Sequence, residues 1–323
     1  MLIGHKKIWQ SLQASYKADR LAHGYLFFGE DSLGKKRLAK EFIKFLNCTG
    51  ENPPCQNCRS CKEIEKDSYP DFSLIEPLKP SSANATTGKQ EIQIAQIREL
   101  KYSLTLKTYE GKYKSVIINE AQSLNQEAYS CLLKTLEEPL GKAIMILISQ
   151  ARESLPKTIL SRVESIKFQK TPTQEIENYF ISQGLADQKA KELAQVADGR
   201  PGIALNYFND PEKIKNDLAK IEDIIKIKKS SLAYRFQYIK DLTEGEQVIE
   251  TLRTWMGFFR DAMLFKIGVK NENQIYKNFY KEVEDLSVIK LKDILKKCEE
   301  LNLLLTTTNV NQKLALETLM IEI

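Results

Sequence analysis

The segment Gly29-Glu30-Asp31-Ser32-Leu33-Gly34-Lys35-Lys36 constrains the fold more than any other stretch of the chain. It follows the apolar run Tyr25 to Phe28. It opens a stretch, Lys35 to Leu46, whose apolar residues Leu38, Ala39, Phe42, Ile43, Phe45 and Leu46 form a helical stripe. Strand, Gly-rich turn and helix in that order is the setting in which G-x-x-x-x-G-K-[ST] holds phosphate. Gly29 and Gly34 let backbone amides curl around the anion, and Lys35 meets its oxygens at a helix N-terminus. The last position departs from the pattern. Lys36 stands where a Ser or Thr hydroxyl would hold Mg²⁺, and an ammonium offers no oxygen to a cation. A strand-to-helix turn without a ligand fits these residues as well, and this segment alone leaves both readings open.

Three further short apolar runs, Phe72 to Ile75, Val116 to Ile118 and Ala143 to Ile148, are near-continuous rather than alternating. That pattern belongs to strands buried on both faces of a parallel sheet. Asn125 is placed to cap a helix carrying Ala128, Leu132, Leu133 and Leu136 and closed by Pro139. Strands alternating with helices predict an α/β doubly wound domain up to about residue 165. With only 14 Gly and 10 Pro in 323 residues, an all-β sandwich lacks its turns, and the length itself calls for two or three domains. Beyond Lys170-Thr171-Pro172 the chain reads as short helices with a break at Gly199-Arg200-Pro201-Gly202. From Pro211 it reads as a helical bundle, with Leu252, Trp255, Met256, Phe259, Met263 and Leu264 on one apolar stripe taken as core. Pro80 to Gly88 reads as a flexible surface loop.

At Val116-Ile117-Ile118-Asn119-Glu120-Ala121 a buried strand ends where an ATPase carries a pair of acids. The metal-fixing acid is replaced by neutral Asn119, whereas Glu120 keeps the place of the water-activating base. Phosphoryl transfer depends on Mg²⁺ to offset charge between the β- and γ-phosphates. Losing both the hydroxyl and the carboxylate predicts an ATPase fold that no longer hydrolyses, with ATP or ADP binding in doubt.

Cys48, Cys55, Cys58 and Cys61 place four thiols within fourteen residues, a spacing suited to tetrahedral Zn²⁺. An iron–sulfur cluster is the alternative, unsupported by any electron-transfer feature. A closed four-cysteine site is structural, and the metal would supply folding energy to an insertion with little core. Cys131 and Cys298 are isolated and expected on buried helix faces. No run reaches the ~18 apolar residues of a membrane span, and Met1 to Lys7 lacks a signal-peptide core. The expected compartment is the cytoplasm, with no membrane partner, where clustered thiols suggest metal before disulfide.

Taken in order, these strings carry a resemblance: His23-Gly24-Tyr25-Leu26-Phe27, the phosphate loop, and the four-cysteine insertion. Leu132-Leu133-Lys134-Thr135-Leu136-Glu137-Glu138-Pro139 and Leu155 to Arg162 follow, and Asn311 to Glu317 completes the series. Together they resemble the bacterial clamp-loader subunits of the DNA polymerase III holoenzyme, members of the AAA+ superfamily, over nearly the whole chain. The resemblance implies a RecA-like α/β domain over 1–168 with the zinc insertion at 48–61. It further implies a helical lid over 169–208 and an all-α collar over 209–323 that joins a hetero-pentamer.

That family contains an ATP-hydrolysing motor (gamma/tau) and a non-hydrolysing stator (delta-prime). Lys36, Asn119 and Gly202, which stands at the place of a phosphate-sensing Arg, all depart from the motor and favour the delta-prime type. Ser161-Arg162 survives, and in the family this Arg reaches across the subunit boundary to a neighbour's ATP; Val163 replaces the usual Cys. From its chemistry alone, Arg162 could equally form a surface ion pair with Glu164. The partners implied are gamma/tau and delta subunits, the sliding clamp indirectly, and primer–template backbone without sequence preference. Two rivals stand: an active gamma/tau-type ATPase, and a zinc-ribbon nucleic-acid binder. The second is weakened by the balance of Arg59, Lys62 and Lys66 against Glu51, Glu63 and Glu65, with no aromatic residue between 48 and 66. The overall charge of +5, 48 basic against 43 acidic residues, permits nucleic-acid contact without arguing for it.

Overall fold

The computed structural model describes residues 2–78, 91–138, 141–245, 248–269, 276–307 and 310–323. The expected surface loop at Pro80 to Gly88 and the helix-closing Pro139 lie outside the described residues. The chain divides into two compact units. The first comprises the described residues up to Tyr179 together with Gly199–Gly202, and the second comprises Phe180–Asp198 and the described residues of Ile203–Ile323.

The first unit is built on five parallel strands: β1 (Gly24–Phe28), β2 (Phe72–Ile75), β3 (Lys114–Ile118), β4 (Ala143–Ser149) and β5 (Glu164–Lys167), in the order β2-β3-β4-β1-β5. Successive side chains of β1, β3 and β4 enter different cores. Tyr25, Phe27, Ile117, Ile144, Ile146 and Ile148 pack with α1 (Lys6–Lys17), α2 (Lys35–Asn47) and α3 (Arg59–Glu65). Leu26, Val116, Ile118, Met145 and Leu147 pack on the opposite face with α4 (Ile94–Thr105), α5 (Gln126–Glu137) and α6 (Lys157–Leu160). The two-residue alternation of a strand therefore explains why the apolar runs are continuous: both faces are covered. The four strand runs read from the sequence are all present. β5 escaped that reading because Glu164-Ser165-Ile166-Lys167 is polar at three of its four positions and lies half-exposed along the sheet edge. Asn125 caps α5 as expected, its Oδ1 accepting from the amide of Ala128 at 2.8 Å.

Helices α7 (Thr173–Ser182), α8 (Asp187–Ala197) and α9 (Pro201–Asn209) follow β5. The rest of the second unit is helical: α10 (Glu212–Lys228), α11 (Leu232–Glu244), α12 (Val248–Lys266), α13 (Val288–Thr307) and α14 (Gln312–Glu322). Leu252, Trp255, Phe258 and Phe259 of α12 lie in its core with Ile224, Ile294 and Leu316, so the stripe around Trp255 is packing surface. Cys298 is buried there, but Cys131 on α5 is only half-buried, less than its sequence position suggested. Among the described residues, no helix is long and apolar enough to cross a membrane.

Candidate functional site

A parallel sheet directs the C-terminal ends of its strands, with the loops that follow them, to one edge. Here that edge gathers the loop after β1, Glu76 after β2, Asn119 and Glu120 after β3, and Gln150 after β4. The cavity between them measures about 250 Å³ and is lined by residues 31–37 with Asn119, Glu120, Gln122, Ile148, Ser149, Gln150 and Gly202. That is below the ~300–1,000 Å³ usual for small-molecule sites.

The loop from Gly29 to Lys36 satisfies its own groups. Lys35 is 7% exposed and donates to the carbonyls of Gly29 and of Glu30, the latter at 2.6 Å. Burial draws its ammonium below the usual lysine range, against the opposing pull of Asp31 and Glu30. At Gly29 a Cβ would lie 2.6 Å from the carbonyl oxygen of Phe168, so only glycine fits where the loop leaves the strand. His5, absent from the sequence reading, props the loop from beneath. Its Nε2 lies 2.8 Å from the Leu33 carbonyl and its ring rests on Phe168 at 4.7 Å. Burial lowers its pKa, partly offset by the Leu33 carbonyl.

Lys36 turns toward β2. Its Nζ is 3.1 Å from Glu76 Oε1, and Asn119 Nδ2 donates to the same oxygen at 2.8 Å. Burial opposes ionisation of Glu76, but the two donors outweigh it and hold the carboxyl below the usual range. The three residues that meet here leave an ammonium and an amide around the carboxylate, in the region where the sequence motif leads one to expect a hydroxyl and an acid around a metal. Glu76 was missed in the sequence. Its only signal is position, directly after an apolar strand run, as Asn119 follows another. Asp31 accepts from Gln150 Nε2 at 2.8 Å across the mouth of the loop, and Glu120 is exposed at the C-terminal side of β3.

Gly202, read from the sequence as a lost Arg, has a second property. Its amide donates to the Ser32 carbonyl at 2.8 Å, and a Cβ there would lie 2.9 Å from that oxygen and 3.1 Å from Ser32 Cα. The backbone of this position is pressed against the Gly29–Lys36 loop, with no space for a side chain to begin.

The four cysteines come together. Their Sγ atoms lie within 4.8 Å of one another, with Cys48 and Cys58 3.9 Å apart. Zn–S bonds of ~2.3 Å would put tetrahedral sulfurs about 3.8 Å apart. Amides of Gly50 and Cys55 donate to Cys48 Sγ at 3.3 and 3.4 Å, and that of Cys58 to Cys55 Sγ at 3.3 Å. Burial raises the Cys58 thiol, but the Ser60 hydroxyl at 3.2 Å and nearby backbone bonds outweigh it and bring the group down to about 5. Four sulfurs with donors aimed at them and no oxygen or nitrogen ligand among them can hold a metal such as zinc, in a closed site.

This insertion is tied to α2 through charged groups. Lys44, 1% exposed at its side chain, bonds Glu41 at 3.0 Å, Gln56 Oε1 at 3.0 Å and Glu65. Gln56, between two of the cysteines, returns its Nε2 to Glu41 at 2.6 Å. Arg59 is paired with Glu63 at 2.7 Å and Glu110 at 2.8 Å, so this basic residue of the insertion is occupied by acids.

Ser161 and Arg162 lie just after α6, well separated in sequence from the loop. The Arg162 guanidinium donates to the Thr158 carbonyl and Ser161 Oγ, both at 2.9 Å, and to Glu137 Oε1 at 2.6 Å. Its acid partner is thus Glu137, at the end of α5, rather than the neighbouring Glu164.

Sheet order, the Gly-rich loop between β1 and α2, and the polar end of β3 define a RecA-like α/β domain. Residues 4–172, over half of the chain, match the family described as DNA polymerase III, delta subunit, and the chain belongs to that family. The delta' subunit of DNA polymerase III from Bacillus subtilis (strain 168) is 28% identical over 286 residues, covering 86% of this chain and 82% of that protein. The tau subunit of the same organism is also 28% identical, over 82% of this chain but 50% of its own length. Among solved structures, a DNA polymerase III gamma subunit-related protein from Thermotoga maritima shares the fold. It has a TM-score of 0.50 and 18% identity, with 96% of this chain and 97% of that one covered.

Proposed function

We propose that this chain is a delta-prime-type subunit of a bacterial DNA polymerase III clamp loader, one that does not hydrolyse ATP itself. The observation that carries the reading is the Lys36–Glu76–Asn119 group. A tethered ammonium and an amide take both sites of hydrogen bonding on Glu76 Oε1, in a region where hydrolysis needs a divalent cation. Gly202 supports it, because the Arg that senses phosphate in the motor subunits has no room to arise from a backbone so close to Ser32.

In this reading Arg162 serves ATP held by a neighbouring gamma/tau-type subunit, where a guanidinium supplied in trans offsets charge in the transition state. The four-cysteine site of residues 48–61 holds one structural zinc. Residues 169–208 form the lid, and 209–323 join the collar of a hetero-pentamer with gamma/tau and delta subunits. The assembly acts in the cytoplasm to place the sliding clamp on primed DNA, with contacts to primer–template backbone that carry no sequence preference.

The test is magnesium-dependent ATP hydrolysis by the purified chain alone and then mixed with gamma/tau and delta subunits. The proposal expects no turnover alone and DNA-stimulated turnover in the mixture that depends on this chain. Turnover by the isolated chain, abolished by Lys35→Ala, would instead establish the gamma/tau-type reading.

A further inference from the structure

The Glu137–Arg162 pair joins two anchored elements. Leu136 is 2% exposed and Ile159 fully buried, and both lie in the core on the α4–α5 face of the sheet. His23 Nε2 lies 3.0 Å from the Leu136 carbonyl, fixing the last turn of α5. On the other side, the Arg162 amide donates to the Ile159 carbonyl at 2.9 Å, and Ser161 Oγ to the Thr158 carbonyl at 3.0 Å. Neither backbone is free to drift, so the separation of the two charged side chains is set by buried residues next to each of them.

A guanidinium has five N–H donors in a rigid plane. Three contacts spend part of that set: two from Nη1, to Thr158 and Ser161, and one from Nη2 to Glu137. The two Nη1 contacts come from Arg162's own turn; the third comes from a separate helix and fixes the rotation of the plane. Nε has no acceptor among the described residues, which leaves the Nε side of the fork for a further acceptor.

We infer that Glu137 is a positioning residue for Arg162: it holds the guanidinium plane so that its Nε edge is presented to a phosphoryl group on a neighbouring subunit. The inference rests on the proposed role of Arg162. Glu137 does not touch the phosphate; it acts through the arginine, and a guanidinium that must be re-oriented at each turnover loses part of the advantage of fixed geometry.

The experiment is DNA-stimulated ATP hydrolysis by the reconstituted loader carrying this chain as wild type, Arg162→Ala, Glu137→Ala, Glu137→Gln, or Arg162→Ala with Glu137→Ala. The loss caused by Arg162→Ala sets the scale. Glu137→Ala is expected to remove more than half of that Arg162-dependent turnover through kcat, with KM for ATP unchanged. Glu137→Gln, whose amide oxygen still accepts from Nη2, is expected to restore most of it. The double variant should be no slower than Arg162→Ala. Full turnover in Glu137→Ala, or faster turnover because the carboxylate had been restraining the arginine, overturns the inference. So does a double variant slower than Arg162→Ala. If Arg162→Ala itself has no effect, the proposed role of Arg162 fails first, and the two failures are distinguished.

Discussion

Replacing Lys44 by Met tests the charged link between the cysteine insertion and α2. Lys44 and Glu41 are 1% and 5% exposed at their side chains, so neither charge is solvated by water. Removing one member of a buried pair costs ~3–5 kcal/mol when the other is left uncompensated. Glu41 keeps Arg37 at 3.0 Å and Gln56 Nε2 at 2.6 Å, which places the expected loss for Lys44→Met lower, at about 2–3 kcal/mol. Removing both charges in Lys44→Met/Glu41→Leu takes away the stranded carboxylate, and most of the loss should return, to within about 1 kcal/mol of wild type. The probe is built in: Trp9 of α1 packs edge-on against Phe45, the next residue, with ring centroids 5.7 Å apart. Urea titration followed by Trp9 fluorescence, in a Trp255→Phe background that silences the other tryptophan, reads the first unit. A double variant as unstable as Lys44→Met would refute the reasoning, because the penalty would then not come from an unpaired charge.

Four further outcomes follow from the same geometry. Asp71, 3% exposed, accepts from the amides of Tyr109, Glu110 and Gly111 at 2.7–3.0 Å, and these bonds outweigh burial to hold its carboxyl below the usual range. A depressed folded pKa gives stability that is complete above the unfolded value near ~3.9 and lost as pH falls through the folded one. The advantage of wild type over Asp71→Asn, about 2–4 kcal/mol, should therefore be flat near neutrality and shrink below pH ~4 in urea titrations. Gly202→Ala should cost about 1–3 kcal/mol through its contact with the Ser32 backbone. Gly257→Ala, inside α12 with nothing within 4 Å, should instead stabilise by about 0.5–1 kcal/mol. Metal analysis should find one zinc per chain, none in Cys61→Ser, and a lower Tm after chelation; iron in its place contradicts the structural assignment.

The parts of the fold that were legible in the sequence are those encoded locally. Continuous apolar runs gave away strands covered on both faces, Asn125 its helix start, and Cys48 to Cys61 a cluster that needs only short loops to close. β5 was illegible because three of its four residues are polar and none is buried, whereas β2 at the other edge buries Phe72 and Ile75. Glu76 and Glu137 were illegible for another reason. Each meets its partner only after the order β2-β3-β4-β1-β5 has set the strand ends side by side. Lys36 lies 40 residues from Glu76 and Arg162 lies 25 from Glu137, and no periodicity spans such intervals. Gly202 shows the difference in kind: the sequence reports a missing arginine, whereas the structure reports a backbone amide bonded to the loop.

In the proposed assembly, a chain with no hydrolytic centre of its own contributes Arg162 to a neighbour's. The most direct test of that contribution is DNA-stimulated ATP turnover by a loader assembled with Arg162→Ala, alongside a check that the variant folds and enters the assembly normally. A trans guanidinium contributes ~10³–10⁵ in other NTPases, so hydrolysis at the site this subunit faces should fall to near background while assembly is unchanged. Unchanged turnover in a correctly assembled Arg162→Ala loader would show that Arg162 does not act on the neighbour's ATP.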